Sequence, residues 1–309
     1  MPSPPLHDRR KERAGVIELV IVAALSVVVG VAWGLVVRAL PHADPARAAS
    51  QQLSAKLAKR RDLRRFLRAR LEPETATGLA LTFALIGVLI AGVAFGVLVA
   101  MIRSKSGVVN IDTSITRWTA AHATSTSLSV FGWLTQLGGT IGTIVIAVAT
   151  VAYAMRARGR WSIALFVILV VGGQSLLVNI IKITVGRVRP DVPPFHVLSG
   201  ASFPSGHAAA AAATLAVVAL VFSRGASPRT RAILAGAAAG IAIAIACTRV
   251  FLGAHWTSDV IGGVILGWVW FGVCAVAFGG RVLQLGAPVK EAAAAATPAA
   301  SGDSDSPVP

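Results

Sequence analysis

Apolar residues in this chain are gathered into seven long runs, separated by short segments that carry nearly all of the charge. A helix needs about 20 mostly apolar residues to cross a bilayer. The first run, residues 16–37, is interrupted only by Glu18, and the other six contain no Lys, Arg, Asp, Glu or His. Those six runs are 78–102, 131–155, 161–181, 208–222, 232–248 and 260–280. The pattern predicts an all-α, polytopic membrane bundle with a six-helix core and one extra N-terminal transmembrane helix.

The polar segments divide the chain into four parts. Residues 1–40 hold a polar tail and the first membrane segment, residues 41–77 a basic linker, residues 78–280 the six-helix core, and residues 281–309 a tail rich in Ala and Pro. The linker carries nine Lys or Arg against four Asp or Glu, with leucines at roughly helical spacing. It fits either an amphipathic helix on anionic headgroups or a solvated helical linker. The composition of the C-terminal tail predicts disorder.

Two finer patterns concern packing. Glycines four residues apart within the apolar runs, Gly236 with Gly240 and Gly263 with Gly267, are typical of closely packed membrane helices. Around residues 112–122, the side chains of Ile111, Ile115 and Trp118 share one helical face. That face predicts a short interfacial helix, which either lids a site or anchors a loop.

The charge balance agrees with a membrane protein. The formal net charge is +16, yet only 14% of residues are charged, against about 25% in soluble domains. The basic residues lie mainly in the tail and in loops beside apolar runs, where they act as topology signals. No nucleic-acid-binding motif accompanies them, so nucleic acid is not an expected partner. Cys247 and Cys274 lie inside apolar runs and are interpreted as core residues, not as a disulfide or metal ligands.

Ionisable residues are concentrated in two loops, residues 182–207 and 249–259, which alternation of the core helices places on one side of the membrane. Such residues at membrane helix ends are costly to bury and are functional by default. Each also has an ordinary interpretation: Lys182, Arg187 and Arg189 as flanking charges at a helix end, and His255 with Asp259, four residues apart, as a hydrogen-bonded pair. The residues concerned are Lys182, Arg187, Arg189, Asp191, His196, His207, Arg249, His255 and Asp259.

A turn before the fourth core run adds an anion-binding feature. Pro204 and Gly206 punctuate a loop, and Ser205 is a good N-cap for the alanine-rich helix that follows. The N-terminus of a helix favours anions because its first N–H groups have no partners within the helix and the positive end of the helix dipole lies there. A metal site formed by His207, His255 and Asp259 is the alternative, but the cations in the same loops would repel a divalent ion. Cations and a helix N-terminus favour a polyanion such as phosphate.

Three motifs in these loops resemble the signature of the type 2 phosphatidic acid phosphatase superfamily. They are Lys182-x6-Arg189-Pro190, Pro204-Ser205-Gly206-His207 and Thr248-Arg249-x5-His255-x3-Asp259. The resemblance covers roughly residues 78–280. It departs from the usual pattern at Thr248, where the family usually has Ser, so the hydroxyl is retained.

The resemblance implies a role for each matching residue. His255 is expected to attack phosphorus and form a phosphohistidine, with Asp259 orienting its imidazole. His207 is expected to protonate the leaving group and then activate water. Lys182, Arg189, Arg249, Ser205 and Gly206 are expected to bind the phosphoryl oxygens. No metal or other cofactor is expected, because the cations neutralise the developing charge. Arg187 and His196 fall off the signature and are interpreted as supporting or loop residues.

The implied activity is that of an integral membrane phosphatase acting on a lipid phosphate monoester or diphosphate. Undecaprenyl diphosphate, phosphatidylglycerophosphate and phosphatidate are all compatible with the sequence. The alternatives are a phosphatase of a soluble phosphate ester and a non-catalytic lipid-binding or transport protein.

The arginines in residues 156–160 and 224–231 are expected to face the cytoplasm of a plasma-membrane protein, which directs the active site outward. This orientation also requires residues 1–15 to lie outside.

Overall fold

The structure, a computed structural model, describes residues 6–39, 73–105, 107–158, 161–192 and 199–278. Within those ranges the chain is helical, with no β-strand. Residues 1–5, 40–72, 106, 159–160, 193–198 and 279–309 lie outside the described residues, and they include most of the linker, the C-terminal tail and His196. The helices are α1 (Leu6–Ala39), α2 (Pro73–Arg103), α3 (Gly107–His122), α4 (Ser125–Thr135), α5 (Thr140–Arg158), α6 (Trp161–Val185), α7 (Gly206–Phe222), α8 (Pro228–Phe251) and α9 (Thr257–Ala277).

Six of the described helices, α1, α2, α5, α6, α8 and α9, are long and apolar enough to cross a membrane. Large aliphatic side chains such as Val27, Ile90 and Val148 point away from the bundle. Helix α7 is apolar but has only 17 residues, a length of about 26 Å at 1.5 Å per residue. The predicted all-α membrane bundle is confirmed.

Helix α7 is the centre of the bundle and contacts α5, α6, α8 and α9. Its side chains from Ala208 to Ala213 are all buried, and their small size lets neighbouring helices approach closely. A Cβ on Gly263 of α9 would lie 2.5 Å from the Ser205 carbonyl oxygen, and one on Gly267 would overlap the carbonyl of Ala209. The close packing predicted for this glycine pair is confirmed.

Helix α1 packs along the whole of α8. Gly240 approaches the backbone of Ser26, Gly236 approaches a position one turn further along α1, and Gly34 approaches Ala232. Later residues of α1 meet earlier residues of α8, so the two helices are antiparallel. The second glycine pair therefore also packs as predicted, and the N-terminal end of α1 lies at the C-terminal end of α8.

The second core run is not one helix. The sequence predicts a continuous helix over residues 131–155, but α4 ends at Thr135, a 3-10 turn covers Gln136–Gly138, and α5 begins at Thr140. Glycine is a poor helix former, and at Gly139 the chain becomes extended, with φ −72° and ψ 169°. A Cβ on Gly138 would lie 2.9 Å from the carbonyl oxygen of His207. The prediction of an unbroken helix is wrong: two consecutive glycines weaken the helix here, and the backbone of Gly138 packs against that of His207.

The short amphipathic helix is present as α3, which begins earlier than predicted. Ile111 and Trp118 are exposed on one side of it. The adjoining side buries Asp112, Thr116 and Thr119. Ile115 of the predicted apolar face packs against buried apolar side chains of α7, α8 and α9. Helix α3 therefore directs polar groups into the protein and exposes only part of its apolar face.

Candidate active site

Three helix ends and two loops meet around one cavity of about 620 Å³. The wall of this cavity also includes the apolar side chains of Ile144 and Val171 and the amides of Gln174 and Asn179, from α5 and α6. The three sequence motifs, which are separated along the chain, contribute to one site. Their cavity-lining members are Lys182, Arg189, Gly206, His207, Arg249 and His255.

The first motif lies at the end of α6. Lys182 occupies the last turn of that helix. The chain then turns at Gly186, whose φ of +60° is a conformation that glycine adopts without strain. Arg189 follows in an extended segment and donates from Nη1 to the carbonyl of Ala254, at 2.8 Å. This bond ties the first motif to the third.

The second motif begins α7. Ser205 is its N-cap, and its hydroxyl accepts from the N–H of Ala208, as the sequence predicts. Ser205 is fully buried and donates its own N–H to the carbonyl of Asp259, at 2.9 Å. It does not line the cavity, whereas Gly206 and His207 in the first turn do. The structure therefore places Ser205 behind the surface that a phosphoryl group would contact.

The third motif is a tight turn between α8 and α9. Gly253 is left-handed, with φ +61°, and the N–H of His255 donates back to the carbonyl of Arg249, at 3.2 Å. This helix-ending turn brings the two motif side chains to the same cavity. The hydroxyl of Thr248 is buried and donates to the carbonyl of Ile245, at 2.6 Å. Thr248 therefore bonds within its own helix.

His255 meets a different partner on each side of its ring. Nη1 of Arg189 lies 3.3 Å from Nε2. Because a guanidinium can only donate, Nε2 must accept, which leaves the proton of the neutral ring on Nδ1. Nδ1 lies 3.6 Å from Oδ2 of Asp259, beyond hydrogen-bond distance. The unprotonated nitrogen is therefore the one beside a cavity-lining cation.

The surroundings of His255 keep it neutral. Burial lowers the pKa of His255 to about 4, the charges of Arg189 and Arg249 act in the same direction, and Asp259 opposes them. At neutral pH its imidazole therefore has one unprotonated nitrogen.

Asp259, in the first turn of α9, is held on both of its carboxylate oxygens. Oδ2 accepts from the hydroxyl of Ser202 and from the N–H of Trp256, the latter at 2.9 Å. Oδ1 accepts from Nη1 of Arg187, at 2.6 Å. The carboxylate is fully buried. It lies behind His255 and does not line the cavity.

Sequence reasoning gave Arg187 only a supporting or loop role, without naming its partners, and did not single out Asp112. Arg187 also donates from Nη2 to Oδ2 of Asp112 in α3, at 2.7 Å, so it bridges two carboxylates. Asp112 in turn accepts from the N–H of Ser258, at 2.9 Å. The available signal was one acidic residue on the polar face of a short amphipathic helix.

The turn between α4 and α5 forms the opposite wall of the site. Thr135 accepts from Nη1 of Arg249, at 3.1 Å. A Cβ on Gly139 would lie 3.4 Å from Nε2 of His207. The break in the second core run therefore supplies both a partner for Arg249 and room for His207, neither of which the sequence indicated.

The charge of this cavity suits an anion. Lys182, Arg189 and Arg249 line it together, and the N-terminus of α7 adjoins them. Among the described residues, no three His, Cys, Asp or Glu side chains form a group that could hold a metal ion. The arrangement places a neutral imidazole nitrogen beside Arg189 in a cavity that Lys182 and Arg249 also line.

Fold and cavity together define a class: multi-pass helical membrane proteins that carry a buried His–Asp pair under a cluster of cations. Residues 161–282 match the PAP2 superfamily. Phosphatidylglycerophosphatase B of Bacillus subtilis is 34% identical over 143 residues, which is 45% of this chain and 68% of that protein. The chain belongs to the PAP2 superfamily, and the family resemblance in its motifs is confirmed.

Two further similarities are consistent with this family membership. The lipid A 1-phosphatase of Rhizobium johnstonii is 40% identical over 108 residues, covering 32% of this chain and 40% of that protein. Among solved structures, the transmembrane PAP2 type phosphatidylglycerolphosphate phosphatase from Bacillus subtilis superposes with a TM-score of 0.57 at 27% identity. That match covers 63% of this chain and 96% of the other.

Proposed function

We propose that this protein hydrolyses a phosphate monoester or diphosphate of a membrane lipid through a phosphohistidine on His255. The unit that carries this activity is residues 78–280, as the sequence predicts. The names of the two lipid phosphatases that the chain resembles suggest a lipid phosphate as its substrate. The proposal covers the lipid phosphate class and not one member of it.

The observation that carries the proposal is the position of Nε2 of His255. This nitrogen is neutral and unprotonated, lies 3.3 Å from Arg189, and belongs to a cavity that Lys182 and Arg249 also line. A phosphoryl group bound by the three cations would have its phosphorus within reach of that lone pair. The cations would stabilise the charge that builds on the phosphoryl oxygens, so the proposed mechanism requires no metal.

The proposed reaction has two steps. In the first, Nε2 of His255 forms a bond to phosphorus while the bond to the leaving oxygen breaks, and a protonated His207 gives that oxygen its proton. Burial and the neighbouring cations lower the pKa of His207, and the negative charge of the bound phosphoryl group offsets them so that His207 is protonated when substrate is bound. Asp259 stabilises the positive ring through Nδ1–H, and the 3.6 Å separation shortens as that charge develops. In the second step His207 removes a proton from water, the water oxygen bonds to phosphorus, and the P–N bond breaks. Inorganic phosphate leaves and both histidines regain their starting states.

The proposed location of the site is the outer side of the plasma membrane. Residues 156–160 and 224–231 each hold three arginines. The C-terminal end of α5 and the start of α8 lie at the end of the bundle opposite the cavity. The positive-inside rule places that end in the cytoplasm. The N-terminal end of α1 is at the cavity end, so this orientation puts residues 1–15 outside despite the cations Arg9, Arg10, Lys11 and Arg13.

The test is a His255→Ala variant of the purified full chain in lipid–detergent micelles. Wild type should release phosphate from at least one of the three lipid phosphates named above, and His255→Ala should lose at least about a thousandfold in kcat because the nucleophile is gone. Labelled substrate should leave an acid-labile, base-stable label on wild type only. His122→Ala, outside the site, is the matched control and should keep full activity. Label that persists on His255→Ala would overturn the assignment of the nucleophile.

A further inference from the structure

A buried charge network joins α3 to the His–Asp pair. Arg187 donates to Asp259 at 2.6 Å and to Asp112 at 2.7 Å, and it also donates to the hydroxyl of Ser258 at 2.6 Å. Its guanidinium lies 5.5 Å from the centre of the Trp256 ring. Both carboxylates are buried, and the side chain of Arg187 is 11% exposed. One cation is thus shared between two carboxylates beneath the cavity.

The geometry of this sharing fixes the direction of the guanidinium. Asp112 engages Nη2, which leaves Nη1 for Asp259 and restricts that contact to one oxygen. Without Asp112, Arg187 would be free to pair through both nitrogens with Asp259, as guanidinium and carboxylate groups prefer. Such a pair would draw Oδ2 of Asp259 away from Ser202 and from Nδ1 of His255.

Asp112 also contacts the element that carries Asp259. It accepts from the N–H and the hydroxyl of Ser258, in the first turn of α9. A carboxylate at that position is favourable because the first N–H groups of a helix lack partners within the helix. The N–H groups at the start of α9 therefore donate to two carboxylates: Asp112 of α3, and Asp259, the third residue of α9 itself.

We propose that Asp112 is a positioning residue of this site, acting through Arg187 and Ser258 to hold Asp259 in the orientation that His255 requires. The inference rests on the proposed function. It assigns to the interfacial helix α3 a direct part in assembling the nucleophile, since α3 carries Asp112 inward while Ile111 and Trp118 face outward.

The network predicts opposite electrostatic effects for its two charges. The charged or titratable groups that act on His255 are Asp259, Lys182, Arg189, Arg249 and His207. Asp112 and Arg187 act from behind Asp259. Removing the negative charge of Asp112 should make the protonated ring less favourable, and removing the positive charge of Arg187 should make it more favourable. A residue with only a packing role would not produce shifts of opposite sign.

The experiment compares Asp112→Asn, Arg187→Gln and Arg187→Lys with wild type, using a lipid phosphate that wild type hydrolyses. Asp112→Asn should lower kcat at least tenfold while KM stays within twofold, because the phosphoryl-binding cations are untouched. The acid limb of its pH–rate profile should move to lower pH, and that of Arg187→Gln to higher pH. Arg187→Lys keeps the charge, so its limb should stay near that of wild type while kcat falls for lack of the second contact.

Two controls separate positioning from folding. Arg117→Gln on the exposed side of α3 and Asp191→Asn in the exposed loop after Pro190 make the same kinds of change and should match wild type. Ser258→Ala is a milder variant that should also lower kcat, and it replaces Asp112→Asn in the comparison if that variant fails to fold. NMR titration of the His255 ring should show the same two shifts without turnover, so an inactive wild type would refute the proposed function but not this inference. Wild-type kcat in Asp112→Asn, or loss of activity with no opposite shifts, would overturn it.

Discussion

His255 carries the asymmetry on which the proposed chemistry depends. One ring nitrogen meets a cation that can only donate, and the other faces a carboxylate that can only accept when ionised. The tautomer is therefore selected by two neighbours of opposite charge. The site prepares the lone pair of Nε2 before any substrate arrives.

The first consequence is a pH profile. Burial lowers the pKa of His255 to about 4, so this group is neutral, and able to attack, at every pH well above that value. We expect the acid limb of kcat/KM to lie below the ordinary histidine pKa of about 6.5. Activity should be retained at pH 5.5 and lost as the pH falls toward 4. Initial rates between pH 4 and 9 in mixed micelles would measure the limb.

The control for this profile is the melting temperature at each pH, which separates titration of the site from loss of the fold. An acid limb centred at pH 6.5 or above in folded protein would contradict the neutral, buried state of His255. Because the apparent pKa of the acid limb belongs to coupled groups, the shift of that limb in Arg187→Gln is the stronger evidence that it reports His255.

At the scale of elements, the turn between α4 and α5 does more than connect two helices. It ends α4 where Thr135 reaches Arg249 and starts α5 after the two glycines that adjoin His207. A Cβ on Gly138 would meet the backbone of His207, and one on Gly139 would contact its ring.

This turn gives a second prediction, for Gly139→Val. The backbone at Gly139 tolerates any side chain, because its φ of −72° is ordinary, so the effect should come from contact alone. A Cβ there already lies 3.4 Å from Nε2 of His207, and the extra methyl groups should displace that ring. We expect kcat to fall at least about tenfold, as a small misplacement of a catalytic group does.

Gly132→Val is the matched control, since nothing lies within 4 Å of a Cβ at that position in α4. It should retain wild-type kcat and melting temperature. Equal activity of Gly139→Val and Gly132→Val would show that His207 does not depend on this turn.

The elements also show why part of the site was predictable and part was not. The motif residues sit at helix ends, and alternation of apolar runs is enough to bring those ends to one side. Asp112 reaches Arg187 across 75 positions of sequence, and no periodicity links them. The break at Gly138 was hidden because the run around it is uniformly apolar, and glycines in such runs equally suit close helix packing. Long-range polar contacts and local sterics both require coordinates.

At the scale of the whole molecule, the direction in which α1 runs determines on which side of the membrane the start of the chain lies. The N-terminal end of α1 lies at the C-terminal end of α8, beside the cavity. Ser199 is at the cavity end and Ser227 at the other, and both are exposed. If the site faces outward, residues at the start of the chain should be outside as well.

Single cysteines at these positions test this orientation in intact cells with a membrane-impermeant thiol reagent. The background should have Cys247 and Cys274 replaced, because both are free thiols. We expect Ser199→Cys and Lys11→Cys to be labelled and Ser227→Cys to be labelled only after the cells are broken open. Labelling of Ser227→Cys alone in intact cells would invert the proposed orientation.

The antiparallel pairing of α1 with α8 also sets an order of events during synthesis. About 190 residues separate the end of α1 from the start of α8, so the first helix to enter the bilayer must wait for most of the chain before its partner exists. Until then the face of α1 that carries Gly30 and Gly34 contacts lipid and lacks the close backbone contacts that Gly236 and Gly240 later supply. Final docking of α1 is therefore a late step in biogenesis. A newly made chain stalled before residue 228 would hold this helix in the membrane as an independent, unpaired anchor.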